Sequence, residues 1–216
     1  MARNASKEAG FRVATATSAA GLRCDDHVSV ARREDGLVLA LADGAGNSDD
    51  GGPLAEWLVS TIKERALEAK NLPGADALSR WIEALDMQWF ATGRRGESAL
   101  VVVSVTHSKV SGASVGDCGA WLVRSGRYQE LNGEQRRKPL VGQGRATVLP
   151  FGPLPMQGVL LLATDGLLKY APETKIQHLA TDGNVSVAAA KLVDLVRTAS
   201  GALQDDVGLI VCRKED

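Results

Sequence analysis

Five short strand-like segments in this chain each meet a carboxylate at one end, and that recurrence limits the possible folds more than any other feature. Asp43 follows the run 37–42 and precedes Gly44, and Asp165 follows 159–164 and precedes Gly166. Asp117 follows 113–116, Asp205-Asp206 stands directly before 207–212, and Asp25-Asp26 stands before 27–30. Continuous apolar runs of this length read as buried strands. The fold must therefore assemble several buried strands whose ends carry acid groups.

Taken singly, each signal has an ordinary explanation. One Asp-Gly after a strand is usually a turn, and an Asp doublet usually caps a loop or faces water. The joint pattern argues for more, because one chance turn does not make the next more frequent. Carboxylates gathered at sheet ends repel one another and are costly to desolvate. Hard divalent cations offset that repulsion, and Mg²⁺ and Mn²⁺ prefer oxygen ligands. Glycine after Asp permits close backbone approach, so the Gly44 carbonyl is a further candidate ligand. His27, His107 and His178 form no ligand pair, which makes zinc a poor candidate. Two hard cations about 3.5–4 Å apart can activate a bridging water and stabilise in-line attack on phosphorus.

The remaining composition narrows the alternatives. With 25 basic and 26 acidic residues the net charge is -1, so no global basic field recruits nucleic acid or an anionic membrane. The longest apolar runs, 37–42, 99–103 and 159–163, fall far short of the roughly 20 residues of a membrane helix. Residues 1–10 are polar and include Arg3 and Lys7, without the apolar stretch of a secretory signal. Cys24, Cys118 and Cys212 are odd in number and dispersed, giving neither a disulfide framework nor a zinc pattern. The expected compartment is the reducing cytoplasm, where the Asn184-Val185-Ser186 acceptor match has no consequence.

Periodicity predicts one domain over 11–216 preceded by a loose arm at 1–10. Strands are expected at 11–19, 27–30 and 37–42, followed by helices at 53–69 and 75–91. In the first helix Leu54, Trp57, Leu58 and Ile62 recur at helical spacing. In the second, Leu78, Trp81, Ile82, Leu85 and Trp89 form the apolar stripe. Short strands at 99–105, 112–115, 120–124 and 128–131 read as a meander, with Ser125-Gly126 as a hairpin turn. The Gly- and Pro-rich segment 136–155 reads as an irregular flap. A strand at 159–163, helices at 173–180 and 185–198 and a strand at 207–212 complete the chain. This order predicts a layered α/β domain, mostly antiparallel sheets covered by helix pairs.

At its acidic sites the chain resembles the metal-dependent protein phosphatases, also called type 2C. That family's motif order appears as Cys24-Asp25-Asp26, Asp43-Gly44-Ala45-Gly46, Gly116-Asp117-Cys118, Thr164-Asp165-Gly166-Leu167 and Asp205-Asp206-Val207-Gly208. The resemblance spans about residues 11–213 and implies an αββα sandwich of two antiparallel sheets with metals in a cleft at one edge. It implies two Mn²⁺ or Mg²⁺ ions, with a weaker third. Asp43 would bridge the first two, Gly44 would offer its carbonyl, and Asp165 and Asp205 would complete the first. Asp26 would hold the second directly or through water, and Asp117 with Asp165 the third. Asp43, Asp165 and Asp205 are thus the implied catalytic residues, and Arg23 the nearest candidate for gripping phosphate.

The implied reaction is hydrolysis of phosphoserine or phosphothreonine without a phosphoenzyme. The implied partner is a phosphorylated bacterial regulatory protein, such as a stressosome or anti-sigma-antagonist protein, with no nucleic acid and no membrane. The chain departs from the family pattern at Cys24-Asp25, where Asn/Gln and Glu are usual, at Cys118 in place of Ser, and at Gly208 in place of Thr. The altered first motif and Gly208 motivate an alternative, a pseudophosphatase that binds phosphoproteins without turnover. An aspartyl-nucleophile enzyme is disfavoured, because Asp43-Gly44-Ala45 lacks the second Asp of Asp-x-Asp. His27 reads as a general acid or, more simply, a polar bystander, and Cys24 and Cys118 as small packing residues. Gly142-Gln143-Gly144 lacks a Walker lysine and belongs to the flap.

Overall fold

The computed structural model describes residues 10–45, 50–124, 126–135 and 138–215. The expected arm at 1–10 lies outside them except for Gly10, whose carbonyl accepts from the Glu215 N–H. Two sheets form, and every strand pairing in both is antiparallel.

One sheet contains β2 (Asp26–Arg33), β3 (Gly36–Gly44), β4 (Ser98–Val105), β5 (Lys109–Val115) and β8 (Leu149–Pro155), in the order β2-β3-β4-β5-β8. The other holds β1 (Phe11–Ser18), β6 (Gly119–Arg124), β7 (Arg127–Glu130), β9 (Val159–Ala163) and β10 (Val207–Lys214), in the order β1-β10-β9-β6-β7. The long helices α1 (Gly51–Glu68) and α2 (Ala75–Ala91) cover the first sheet. After the single turn α3 (Asp165–Leu168), α4 (Glu173–Ala180) and α5 (Val185–Leu195) cover the second.

Alternation of side chains along a strand explains why both faces of each sheet are apolar. In β3, Leu37, Leu39 and Leu41 point between the sheets and meet Leu160, Leu162 and Ile210. Val38, Ala40 and Ala42 point the other way, beneath Leu54, Leu58 and Ile62 of α1. Across the molecule Leu161, Leu209 and Val211 face Ile176 and Leu192 of the second helix pair. Each fully buried Leu or Ile contributes roughly 1.5–3 kcal/mol of transfer free energy. The result is the expected αββα sandwich, with one apolar layer between the sheets and one under each helix pair.

The structure differs from the sequence reading most in two places. The expected meander is broken, because β5 pairs with β4 whereas β6 belongs to the opposite sheet. The chain crosses at 116–118 through Gly116, whose φ of +82° requires glycine. A Cβ there would also stand 2.6 Å from the Ala99 Cβ. This crossing carries Asp117. The second difference is β8, which lies inside the segment read as an irregular flap. Pro150, Pro153 and Pro155 masked its strand character, but β8 is an edge strand, where proline is tolerated. A register shift between Val110 and Gly112 accommodates it.

The same alternation positions the site. The inward face of β3 continues past Leu41 to Asp43, that of β9 past Leu162 to Thr164, and that of β10 from Ile210 back to Gly208 and Asp206. The apolar layer between the sheets therefore ends in polar groups at one edge of the sandwich.

Candidate active site

Asp26 and Asp43 are direct cross-strand partners in the β2–β3 register. Like charges opposite one another destabilise a sheet, yet Asp26 is buried at 3% exposure and Asp43 is half-buried. Burial, then repulsion from Asp43, pushes the Asp26 carboxyl up to about 8. Burial and repulsion from Asp165, Asp117, Asp205 and Asp206 push Asp43 up to about 7. Both shifts have the direction expected of carboxylates that lack a compensating cation.

These acids open onto a cleft of about 410 Å³. Its walls include Asp25, Asp26, Asp43, Asp117, Asp165, Asp205 and Asp206, drawn from five separate chain segments. Gly44, Ala45, Ala99 and Leu140 supply the rest of the wall, together with Arg23, the one cation among the described lining residues. All the sequence-predicted site residues therefore meet at one place. Arg23 is exposed on the rim, on a loop of residues 19–25 whose sequence offers no regular element.

Asp206 explains how that loop is held. Its Oδ1 accepts from the Ala20 N–H at 2.7 Å and its Oδ2 from the Asp25 N–H at 2.6 Å. The two members of the Asp205-Asp206 doublet thus differ: Asp206 ties the rim, while Asp205 accepts at 3.1 Å from the Asp206 N–H. Sequence reasoning singled out Asp205 and missed this structural use of its neighbour, for which the doublet was the signal.

Thr164 was likewise missed as a site residue. Its hydroxyl donates to Asp26 Oδ2 at 2.7 Å and accepts from the Gly208 N–H at 2.9 Å. It links the first and last acidic motifs across the two sheets. Gly208 leaves little room for a larger residue, since a Cβ there would lie 3.1 Å from the Asp26 Cβ. Glycine at 44 has a similar origin. A Cβ would meet the Gly51 carbonyl group at 2.6–2.7 Å, so α1 can start against the strand end only where the side chain is absent. Gly46 lies outside the described residues.

Other expectations resolve simply. His27 is not among the residues lining the cleft, and by alternation its side chain leaves β2 on the face opposite Asp26. Burial pushes the Cys24 thiol up to about 12, and raises that of Cys118 as well. Both are therefore protonated at neutral pH and make poor nucleophiles. Trp89 is buried, and Trp57 and Trp81 pack partly buried against the same helix-side core. Asp165 begins the single turn α3 directly after β9.

The donor set fits hard cations: it is rich in carboxylates, and the described lining residues include no imidazole. Among the described residues no three Asp, Glu, His or Cys groups already stand in an arrangement that would hold a metal ion. Mutually repelling carboxylates splay apart, and Mg²⁺-type sites complete their shells largely with water.

A family model described as protein phosphatase 2C matches residues 14–149, more than half of the chain. The chain belongs to the protein phosphatase 2C family. Several solved structures share its fold at identities low enough that only the fold is carried by the likeness. A bacterial serine phosphatase superposes with a TM-score of 0.80 at 18% identity, covering 95% of this chain and 98% of that one. The serine/threonine phosphatase Stp1 from Staphylococcus aureus gives 0.79 at 18% identity, covering 95% of each chain. The catalytic domain of the serine/threonine protein phosphatase PstP, solved in complex with two manganese ions, gives 0.78 at 17%, covering 95% and 99%. No curated protein sequence matches the chain.

Proposed function

We propose that this protein is a metal-dependent phosphatase that hydrolyses phosphoserine and phosphothreonine in proteins. The observation that carries the reading is the convergence of Asp26, Asp43, Asp117, Asp165 and Asp205 on one cleft, where buried Asp26 and its half-buried cross-strand partner Asp43 stand among like charges. In this reading Asp43, Asp165 and Asp205 would hold one ion, Asp43 with Asp26 would hold a second, and the Gly44 carbonyl would be a further ligand. Asp117 and Asp165 hold a weaker third. Bound Mn²⁺ or Mg²⁺ supplies Lewis acidity and makes water nucleophilic at neutral pH.

The chain's own residues do the rest. The Arg23 guanidinium on the rim draws in and orients the phosphate by charge-assisted hydrogen bonds. Asp206 holds the Arg23 loop in place through two backbone N–H groups. Thr164 fixes the rotamer of Asp26. The apolar walls at Ala99 and Leu140 lower the local dielectric and strengthen every charge interaction in the cleft. On family analogy the substrate is a cytoplasmic bacterial regulatory protein, such as a stressosome or anti-sigma-antagonist phosphoprotein.

Hydrolysis of p-nitrophenyl phosphate and a phosphothreonine peptide, with and without Mn²⁺, tests the proposal. Turnover should require the metal, and Asp43→Ala or Asp165→Ala should each lower it roughly a hundredfold or more. Metal-independent turnover, or wild-type rates in either variant, would contradict it. One observation favours a second reading, a phosphoprotein-binding module without turnover: among the described residues no three metal-ligating groups already close around a common point. Phosphopeptide binding with no metal-dependent hydrolysis would select that reading.

A further inference from the structure

Beside the acidic cleft lies a second, larger depression of opposite character. It is a groove of about 820 Å³ whose lining includes Arg94, Arg95 and Arg145, with Glu97 the acid among its described lining residues. The two depressions share two strips of chain. Ala99 and Leu140 line the cleft, whereas Glu97 and Gly142 line the groove. The strips are joined to each other by the Ser98–Val141 bridge. Each step from cleft to groove is two residues, about 7 Å of extended chain.

The charges in the groove do not cancel. Arg94 is spent on Asp50, with Nη2 and Nε reaching the same Oδ1 at 2.6 and 3.0 Å, and it stacks 4.3 Å from the Trp89 ring centre. Glu97 faces Lys138 Nζ at 3.5 Å. That leaves Arg95, whose guanidinium has no acidic partner among the described residues although its backbone N–H reaches Asp50 Oδ2 at 3.4 Å, and Arg145, whose Nε reaches Gln143 Oε1 at 3.4 Å. Both are exposed. Among the described residues the local surplus is two positive charges, on a molecule of net charge -1. The groove is also built rather than incidental. Asp86, buried at 2% exposure, accepts from the Gly142, Gly144 and Ala146 N–H groups and fixes the segment that presents Arg145. The Phe90 ring, 55% exposed, forms an apolar part of the wall.

We propose that this groove receives acidic residues flanking the phosphorylated side chain of the protein substrate, so that Arg95 and Arg145 select acidic phosphosites. The inference rests on the phosphatase reading for what occupies the cleft. The phosphate enters the acidic cleft, while carboxylates a residue or two away along the substrate backbone reach the two arginines. Such a contact acts on affinity and choice of partner and leaves the hydrolytic step alone.

Fluorescence anisotropy with labelled peptides carrying a non-hydrolysable phosphonate analogue of phosphoserine between Asp/Glu or Lys/Arg flanks tests it without relying on turnover. In Mn²⁺ at low ionic strength the acidic peptide should bind about tenfold tighter, and that ratio should shrink as salt is raised. The double variant R95E/R145E should keep the parent's melting temperature and lose or invert the preference, while R95K/R145K should retain most of it. Equal affinity for the two peptides, or a preference unchanged in R95E/R145E, would overturn the inference. Absence of Mn²⁺-dependent hydrolysis of p-nitrophenyl phosphate by the parent would strike the phosphatase reading instead, and the affinity comparison would still decide the groove.

Discussion

Thr164 shows how a single hydroxyl can hold an acidic site together. It gives its proton to Asp26 and takes one from the Gly208 N–H, so both buried partners depend on it. Thr164→Val keeps the shape and removes the hydroxyl, leaving a buried donor and a buried carboxylate short of a bond. The expected cost is about 1–3 kcal/mol in urea unfolding, and Thr164→Ser should recover most of it. Thr164→Val as stable as the parent would show that the hydroxyl does not hold Asp26. The acids themselves were legible in the sequence because a carboxylate bounding an apolar run is a conspicuous departure. Thr164 and Asp206 were not, because a threonine before Asp-Gly, or the second Asp of a doublet, acquires its role only from partners far away in the chain. Ala20 and Asp206 are 186 residues apart in sequence.

At the scale of elements, the strands and helices with clean periodicity were readable: α2 over 75–91, β9 over 159–163 and α4 over 173–180 have the bounds that spacing predicts. Strands whose pattern is broken by proline or whose partner lies elsewhere were not, as β8 and the β5–β6 crossing show. The segment between Leu140 and β8 gains its order from α2 rather than from its own sequence. Asp86 accepts three backbone N–H groups from it at 2.6–2.9 Å. Asp86→Ala would leave those donors unpaired beneath the surface, at a cost on the order of 3 kcal/mol. For a chain of this size that corresponds to a melting temperature roughly 10 °C lower. A change of only a degree or two would mean that water replaces the carboxylate without penalty.

For the molecule as a whole, two sheets packed through a common apolar layer bring the ends of distant strands to one edge, and that edge is where the charge collects. Folding raises Asp26 to about 8 and Asp43 to about 7, above the unfolded carboxylate range near 4. Between about pH 4 and pH 8 the metal-free native state therefore binds more protons than the unfolded state. The contribution of these groups to stability is full below that window and is lost as pH rises through it. Thermal melts of metal-free protein should show the melting temperature declining from pH 5 to pH 8, and Mn²⁺ should raise it most at the upper end. A metal-free protein that gains stability over that range would refute the electrostatic account.

The central claim is that carboxylates from five chain segments share hard cations in one cleft. Calorimetric titration of Mn²⁺ into metal-free protein at neutral pH addresses it most directly. The account predicts about two ions per chain by analogy with two-metal phosphatase sites, with binding lost in Asp43→Ala. No measurable binding, or binding untouched by that substitution, would contradict it.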